Sequence, residues 1–253
     1  MNKKLTSLIT FTLIGVAAYM LTDIIHEVIG HGGVCLLIGQ KITLLTSVYF
    51  RSEPGSVITD LGGPISNLLA GLVLFYILKH RKDLPILTRL LLFLTMSYCF
   101  YWFSGTILQS SFSKTGDWTY AVKQLNIGPY GKPLLIILGI IAYHFSIKLS
   151  RIHLKKIDLF FTGFPLRQFI FYSYFSAALA ATIAGLFFSP NRISAAREGL
   201  FEMIASLPIL FIIPQKEVKV EADEIKLYNF AFNFIVIILF VLFCVTLGKG
   251  FIM

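Results

Sequence analysis

The chain reads as an all-α polytopic membrane protein with six to seven transmembrane helices and a short β hairpin after the first. Three observations predict this class. Of the 253 residues, 56% are hydrophobic and only 14% are charged, whereas a soluble domain carries about 25% charged residues; the mean hydropathy is +0.78. Apolar runs at 5–25, 61–78, 84–108, 133–147, 166–188, 200–213 and 228–247 match or approach the roughly 20 residues that a helix needs to cross a hydrocarbon core. The basic residues lie between those runs. No internal repeat and no domain-length linker interrupts the series, so residues 1–253 form a single integral membrane domain.

The first run follows Lys3 and Lys4 and contains Ala17-Ala18, a secretory-signal pattern. It reads as an uncleaved first span, because cleavage there would leave the histidines that follow it at a new terminus. Gly32-Gly33 loosens the backbone after it, and Gly39 is a C-terminal stop. Residues 41–50 are β-rich (Ile42, Thr43, Thr46, Val48, Tyr49, Phe50), Ser52-Glu53-Pro54-Gly55 supplies turn chemistry, and 56–59 returns as a second strand. The next span opens with Leu61-Gly62-Gly63-Pro64-Ile65-Ser66-Asn67. Its glycines permit close helix approach, Pro64 suits a first helical turn, and Asn67 faces the bundle interior. The third run ends in a polar island at 110–119 centred on Gly116-Asp117-Trp118, and 148–167 is a basic loop with Phe160, Phe161 and Phe164 at the headgroups. The runs at 133–147 and 200–213 are short for a crossing, and are tilted, kinked at Pro133 or Pro208, or re-entrant.

The formal charge of +9 does not mark a nucleic-acid binder, because Lys and Arg form no aromatic-interleaved patch. The partner is the bilayer. If all seven runs cross, fourteen of the 22 Lys and Arg residues, Lys3, Lys79, Arg151 and Lys219 among them, share one side. The positive-inside rule then gives a cytoplasmic N-terminus to a multi-pass protein. Cys35, Cys99 and Cys244 are widely separated and sit in or beside apolar runs, as small buried hydrophobes do.

The chemistry lies at His26-Glu27-Val28-Ile29-Gly30-His31. Ionisable residues inside a span mark function, and burying Asp23, His26, Glu27 and His31 together without a metal or polar cavity would be costly. Histidines at i and i+4 lie about 40° apart around a helix and reach one metal, but at i+5 the separation is about 140°. A π-bulge brings i and i+5 back to one face, and Gly30 or Gly32-Gly33 makes it easy to form. The sequence therefore predicts a helical irregularity between Glu27 and Gly33. Asp23, one turn before Glu27, is placed to orient one of the histidines.

His26-Glu27 with Gly30-His31 in a span, a β hairpin, and Gly63-Pro64-Ile65-Ser66-Asn67 opening the next span resemble the site-2 protease family of intramembrane zinc metalloproteases. The resemblance covers the first third of the chain and implies Zn2+ bound by His26 and His31, with Glu27 as general base. It also implies a catalytic core over 5–125, with additional helices over 131–253. The family's spacing is His-Glu-x-Gly-His, one residue shorter than here. Its third ligand is an aspartate in a Leu-Asp-Gly setting, which this sequence lacks; Asp117 is the replacement, on the membrane face that His31 and Asn67 share. By analogy Asn67, Gly63 and Pro64 serve substrate binding, and the substrate is a membrane-spanning or membrane-proximal peptide. A membrane metallohydrolase of a lipid or lipid-linked amide would use the same chemistry, and an ion or proton transporter is the non-enzymatic alternative.

Overall fold

The computed structural model describes residues 3–160, 166–212 and 229–252. It is an all-α bundle. Among the described residues six helices are long and apolar enough to cross a membrane: Ser7–Leu37, Val57–His80, Ile86–Phe112, Gly128–Ile157, Leu166–Leu186 and Phe230–Gly248. The first comprises α1 (Lys3–Asp23), a π-helical segment (Ile24–Gly33) and α2 (Val34–Leu37). Then come β1 (Lys41–Leu45), β2 (Phe50–Glu53), α3 (Val57–His80), α4 (Ile86–Phe112), α5 (Asp117–Gln124) and α6 (Gly131–Phe160). The chain continues through α7 (Leu166–Leu186), α8 (Arg192–Ile204), a 3-10 turn (Leu207–Phe211), α9 (Phe230–Phe243), a second π-helical segment (Cys244–Gly248) and β3 (Phe251–Ile252).

Helices α1, α4 and α7 form the interior, which holds Phe11, Ile14, Tyr19, Phe93, Tyr98 and Phe169 at no solvent exposure. The outer faces of α6 and α9 carry exposed Ile137, Ile140, Phe145, Ile235 and Leu239, as lipid-facing helices do. Small side chains let α1 and α7 approach closely. Ser173 Oγ donates to the Phe11 carbonyl at 2.9 Å, Ser176 Oγ donates to the Thr12 carbonyl at 2.8 Å, and Gly15 of α1 sits directly against the Ser173 backbone. In lipid such shape matching replaces the hydrophobic drive between helices.

The sheet has order β2-β1-β3, antiparallel throughout. The hairpin's second strand is Phe50–Glu53 and not 56–59: Ser56 instead caps α3, its hydroxyl accepting from the Thr59 N–H at 3.2 Å. A hydroxyl residue at a helix start satisfies an otherwise orphaned donor, and that outweighs extension into a strand. Pro64 lies inside α3, not in its first turn. The basic stretch at 148–160 continues α6 as helix; Phe161 and Phe164 lie outside the described residues.

The run at 200–213 is not a continuous crossing. The 13-residue α8 is about 20 Å long, short of the roughly 30 Å hydrocarbon core. It starts at the hairpin end, where Leu44, Phe188 and Ala195 pack together, and runs inward antiparallel to α7: Gly199 abuts Ala181, and Tyr174 OH donates to the Met203 carbonyl at 3.2 Å. The final span begins beside the start of α1, where Asn233 Nδ2 meets Thr10 Oγ1 at 3.4 Å, and ends with β3 on β1. First and last spans therefore run parallel, and the chain passes from the hairpin end to the opposite end between Phe188 and Phe230.

Candidate metal centre

The irregularity expected between Glu27 and Gly33 is present as the π-helical segment Ile24–Gly33. Its i→i+5 hydrogen bonding places residues five apart on one face. His26 and His31 thereby meet, their Nε2 atoms 3.3 Å apart and their rings nearly perpendicular at 4.9 Å between centroids. Space for them comes from α3. A Cβ on Gly30 would fall 2.5 Å from Gly63 Cα, and one on Gly63 would fall 2.7 Å from His26 Nε2 and closer still to His31 Nε2. The glycine pair thus sets the helix separation, and Gly63 lies directly against the two imidazole Nε2 atoms.

Each imidazole is held by its other nitrogen. His31 Nδ1 donates to the Thr59 carbonyl at 2.8 Å, which leaves Nε2 with a lone pair. His26 Nδ1 lies 3.0 Å from the Asn67 amide, and Asn67 Oδ1 has no partner. Turning the amide over makes Oδ1 the acceptor of an Nδ1–H and frees His26 Nε2 of its proton, the tautomer a metal ligand needs.

Asp117 completes the triangle from the first turn of α5, after Gly116 at φ +125°, a conformation that favours glycine. Its Oδ2 lies 3.5 Å from His26 Nε2 and its Oδ1 3.6 Å from His31 Nε2. Burial opposes ionisation of this carboxyl, but His31 and His26 more than offset it and hold it below its usual range. Donors around tetrahedral zinc, with bonds of about 2.0–2.1 Å, are about 3.4 Å apart. The two imidazole nitrogens, 3.3 Å apart, match that spacing, and Asp117 sets one oxygen 3.5 Å from His26 Nε2 and the other 3.6 Å from His31 Nε2, so the donor types and their approach suit a zinc ion.

Glu27 stands beside the triangle, 5% exposed, with Oε2 unpartnered and a carboxylate oxygen within 4.8 Å of the histidine donors. It forms part of the wall of a cavity of about 610 Å³ with His26, Trp102, Asp117, β2 and α8. The edge of Trp102 packs on His26 at 5.8 Å and Phe50 stacks on His31 at 5.2 Å, walling the imidazoles with aromatic rings.

The structure brings together His26, Glu27, His31 and Asp117, and gives other expected residues different places. Asn67 is fully buried against His26, Gly63 lies against the imidazole nitrogens, and Pro64 is buried within α3; none of the three is among the residues lining the cavity. Asp23 contacts neither imidazole, because Asn67 and Thr59 already occupy both Nδ1 positions, and both its oxygens lack hydrogen-bond partners. The cavity also contains residues that motif reading missed: Tyr49, Arg51, Glu53, Trp102, Glu198 and Glu202. Glu202 alone left a trace, as a carboxylate within the apolar run 200–213. No protein-family model, curated protein or solved structure matches the chain.

Proposed function

We propose that the protein is an intramembrane zinc metalloprotease hydrolysing peptide bonds of membrane-spanning or membrane-proximal substrates. One observation carries the reading: two imidazole nitrogens 3.3 Å apart with an oxygen of Asp117 facing each, and an unpartnered carboxylate beside them at a cavity wall. A zinc ion held by His26, His31 and Asp117 would act as a Lewis acid and lower the pKa of a water to about 7. Glu27 accepts the proton of the attacking water and returns it to the leaving amine. Thr59 and Asn67 hold the two imidazoles in the required tautomer.

A peptide bond must be presented in extended backbone to be cut. Strand β2 supports peptide over lipid amide as the substrate: it lines the cavity, and in the order β2-β1-β3 one of its edges is unpaired among the described residues and can pair with an extended segment. A transporter would need a polar path through the bundle, whereas this cavity sits at the hairpin end. The concentration of basic residues toward the other end supports a cytoplasmic N-terminus, with the site toward the opposite face.

Metal analysis and proteolysis of a transmembrane reporter peptide test the reading. The full chain purified without chelator carries one zinc; His31→Ala loses it, and Glu27→Gln retains it but no longer cleaves. A wild-type chain that purifies metal-free and stays inactive when given zinc overturns the proposal.

A further inference from the structure

The cavity at the metal centre does not end at the sheet. A second cavity, of about 830 Å³, adjoins it, and Thr43, Tyr49, Arg51 and Glu53 line both. Its further lining comes from Phe188, Pro190 and Asn191, between α7 and α8, and from Ile252 of β3. Buried Leu44, packed with Phe188, adds an apolar part. A substrate chain seated at the metal centre therefore has room to continue across the sheet, in a space that the hydrolytic chemistry does not use.

The two cavities differ in charge. Six carboxylates line the first, those of Glu27, Glu53, Asp60, Asp117, Glu198 and Glu202, and among the described residues Arg51 is its one Lys or Arg. In the second, Lys41 and Arg51 stand with the single carboxylate of Glu53. Lys41 and Glu53 are register partners and Arg51 is two residues from Glu53, so all three side chains leave one face of the hairpin. Diagonal neighbours such as Lys41 and Arg51 lie about 7–8 Å apart, a gap that long side chains bridge. All three are exposed, and among the described residues none has an ion-pair partner. The Thr43 hydroxyl donates to the Arg51 carbonyl at 3.3 Å, which leaves the guanidinium uncommitted.

A guanidinium and an ammonium on one face hold a carboxylate through charge-assisted hydrogen bonds of about 2.7–2.9 Å. The carboxylate-rich first cavity disfavours the same group, so the charge difference gives an acidic peptide one direction across the two. We propose that the second cavity is the subsite for a polar flank of the substrate, and that Arg51, with Lys41, selects an Asp or Glu in that flank. The proposal rests on the peptidase reading above, and it names the substrate class: an apolar segment adjoined, on the hairpin side of the membrane, by an acidic flank. Glu53 competes for the same cations.

The test measures binding separately from cleavage. Zinc-loaded full-length protein in nanodiscs of neutral lipid is titrated with fluorescent peptides made of an apolar segment and a polar flank, in which one Asp, or Asn in its place, is moved through the flank. At one or more positions the Asp peptide binds about fivefold more tightly than its Asn counterpart. The ratio falls to near one in Arg51→Gln and rises in Glu53→Gln. It is kept in Lys249→Gln, which removes an exposed cation at the same end of the molecule but outside both cavities. A ratio of one at every position, a ratio that persists in Arg51→Gln, or an equal fall in Lys249→Gln overturns the proposal. So does Arg51-dependent binding of a short-chain anionic phospholipid with no preference between the peptides, which gives the cations to lipid. A preference that depends on Arg51 in a protein that cleaves neither peptide upholds the subsite and removes the peptidase reading. Cleavage of both peptides with no preference does the reverse, so the two failures are distinguishable.

Discussion

Two π-helical segments end spans at the same end of this molecule, and they do different work. Ile24–Gly33 carries two histidines and a glutamate, buried, with α3 and α5 bringing Asn67 and Asp117 to meet them. Cys244–Gly248 carries Cys, Val, Thr, Leu and Gly, and packs on the end of α7 while the Leu247 carbonyl accepts from the Ser47 N–H at 3.0 Å. The second segment delivers β3 to the sheet. Widened helical geometry is therefore not itself a sign of chemistry; what decides is which side chains fall five apart and what stands opposite them. In the first segment those are imidazoles facing a carboxylate, and in the second they are packing groups facing a backbone.

If the first segment is a ligand platform, the largest loss comes from filling the space it faces. Gly63→Ala places a methyl group against His31 Nε2 and 2.7 Å from His26 Nε2. Relief would require α3 to move away from the first π-helical segment and give up the close contact between Gly63 and Gly30. Zinc affinity falls by at least roughly 100-fold, measured by chelator competition, while circular dichroism retains the helical signal. Unchanged affinity would mean that the histidines do not point their Nε2 atoms inward, and the contrast between the segments would collapse.

A smaller effect separates orientation from ligation. Asn67→Ala removes the group that fixes His26 but touches no ligand atom. Zinc affinity drops by about 10–100-fold, the range for partners that orient a metal-binding histidine. If Asn67 served substrate binding, its loss would instead raise KM and leave zinc affinity as it was.

Sequence patterning made the spans legible because lipid imposes a crude rule of length and hydropathy, which α3, α4 and α7 obey. It made His26, Glu27 and His31 legible because ionisable groups stand out in an apolar run, and the i+5 spacing translated directly into the π-helical segment. Asp117 lies 86 positions beyond His31, and only the alternation of membrane sides connects them in sequence. Distances of 3.5 and 3.6 Å depend on how α5 packs across α3, which no local pattern encodes. Asn67 was visible as a buried amide, yet its partner was not, because its neighbour His26 is on another helix. The failed expectation for 56–59 shows the limit at the local scale too: β-branched residues suited a strand, but Ser56 three positions before Thr59 made a helix cap. The run at 200–213 was apolar but short for a crossing, and the turn beginning at Leu207, with Pro208 in it, divides it.

The second segment gives the smallest expected change in metal binding. A Cβ on Gly248 would come within 2.8 Å of the Ala184 carbonyl oxygen, so Gly248→Ala must push the end of the last span away from α7. The strain costs about 1–3 kcal/mol and strikes where β3 joins β1, lowering the thermal midpoint. The proposed metal donors come from the first π-helical segment and α5, whereas Gly248 faces Ala184 and Phe187, so zinc content and affinity stay at wild-type values. Chelator competition and thermal unfolding on the same preparation check both halves. A variant that loses zinc while its midpoint is unchanged would show the two segments to be coupled, and the division between a chemical and a structural π-helix would have to be abandoned.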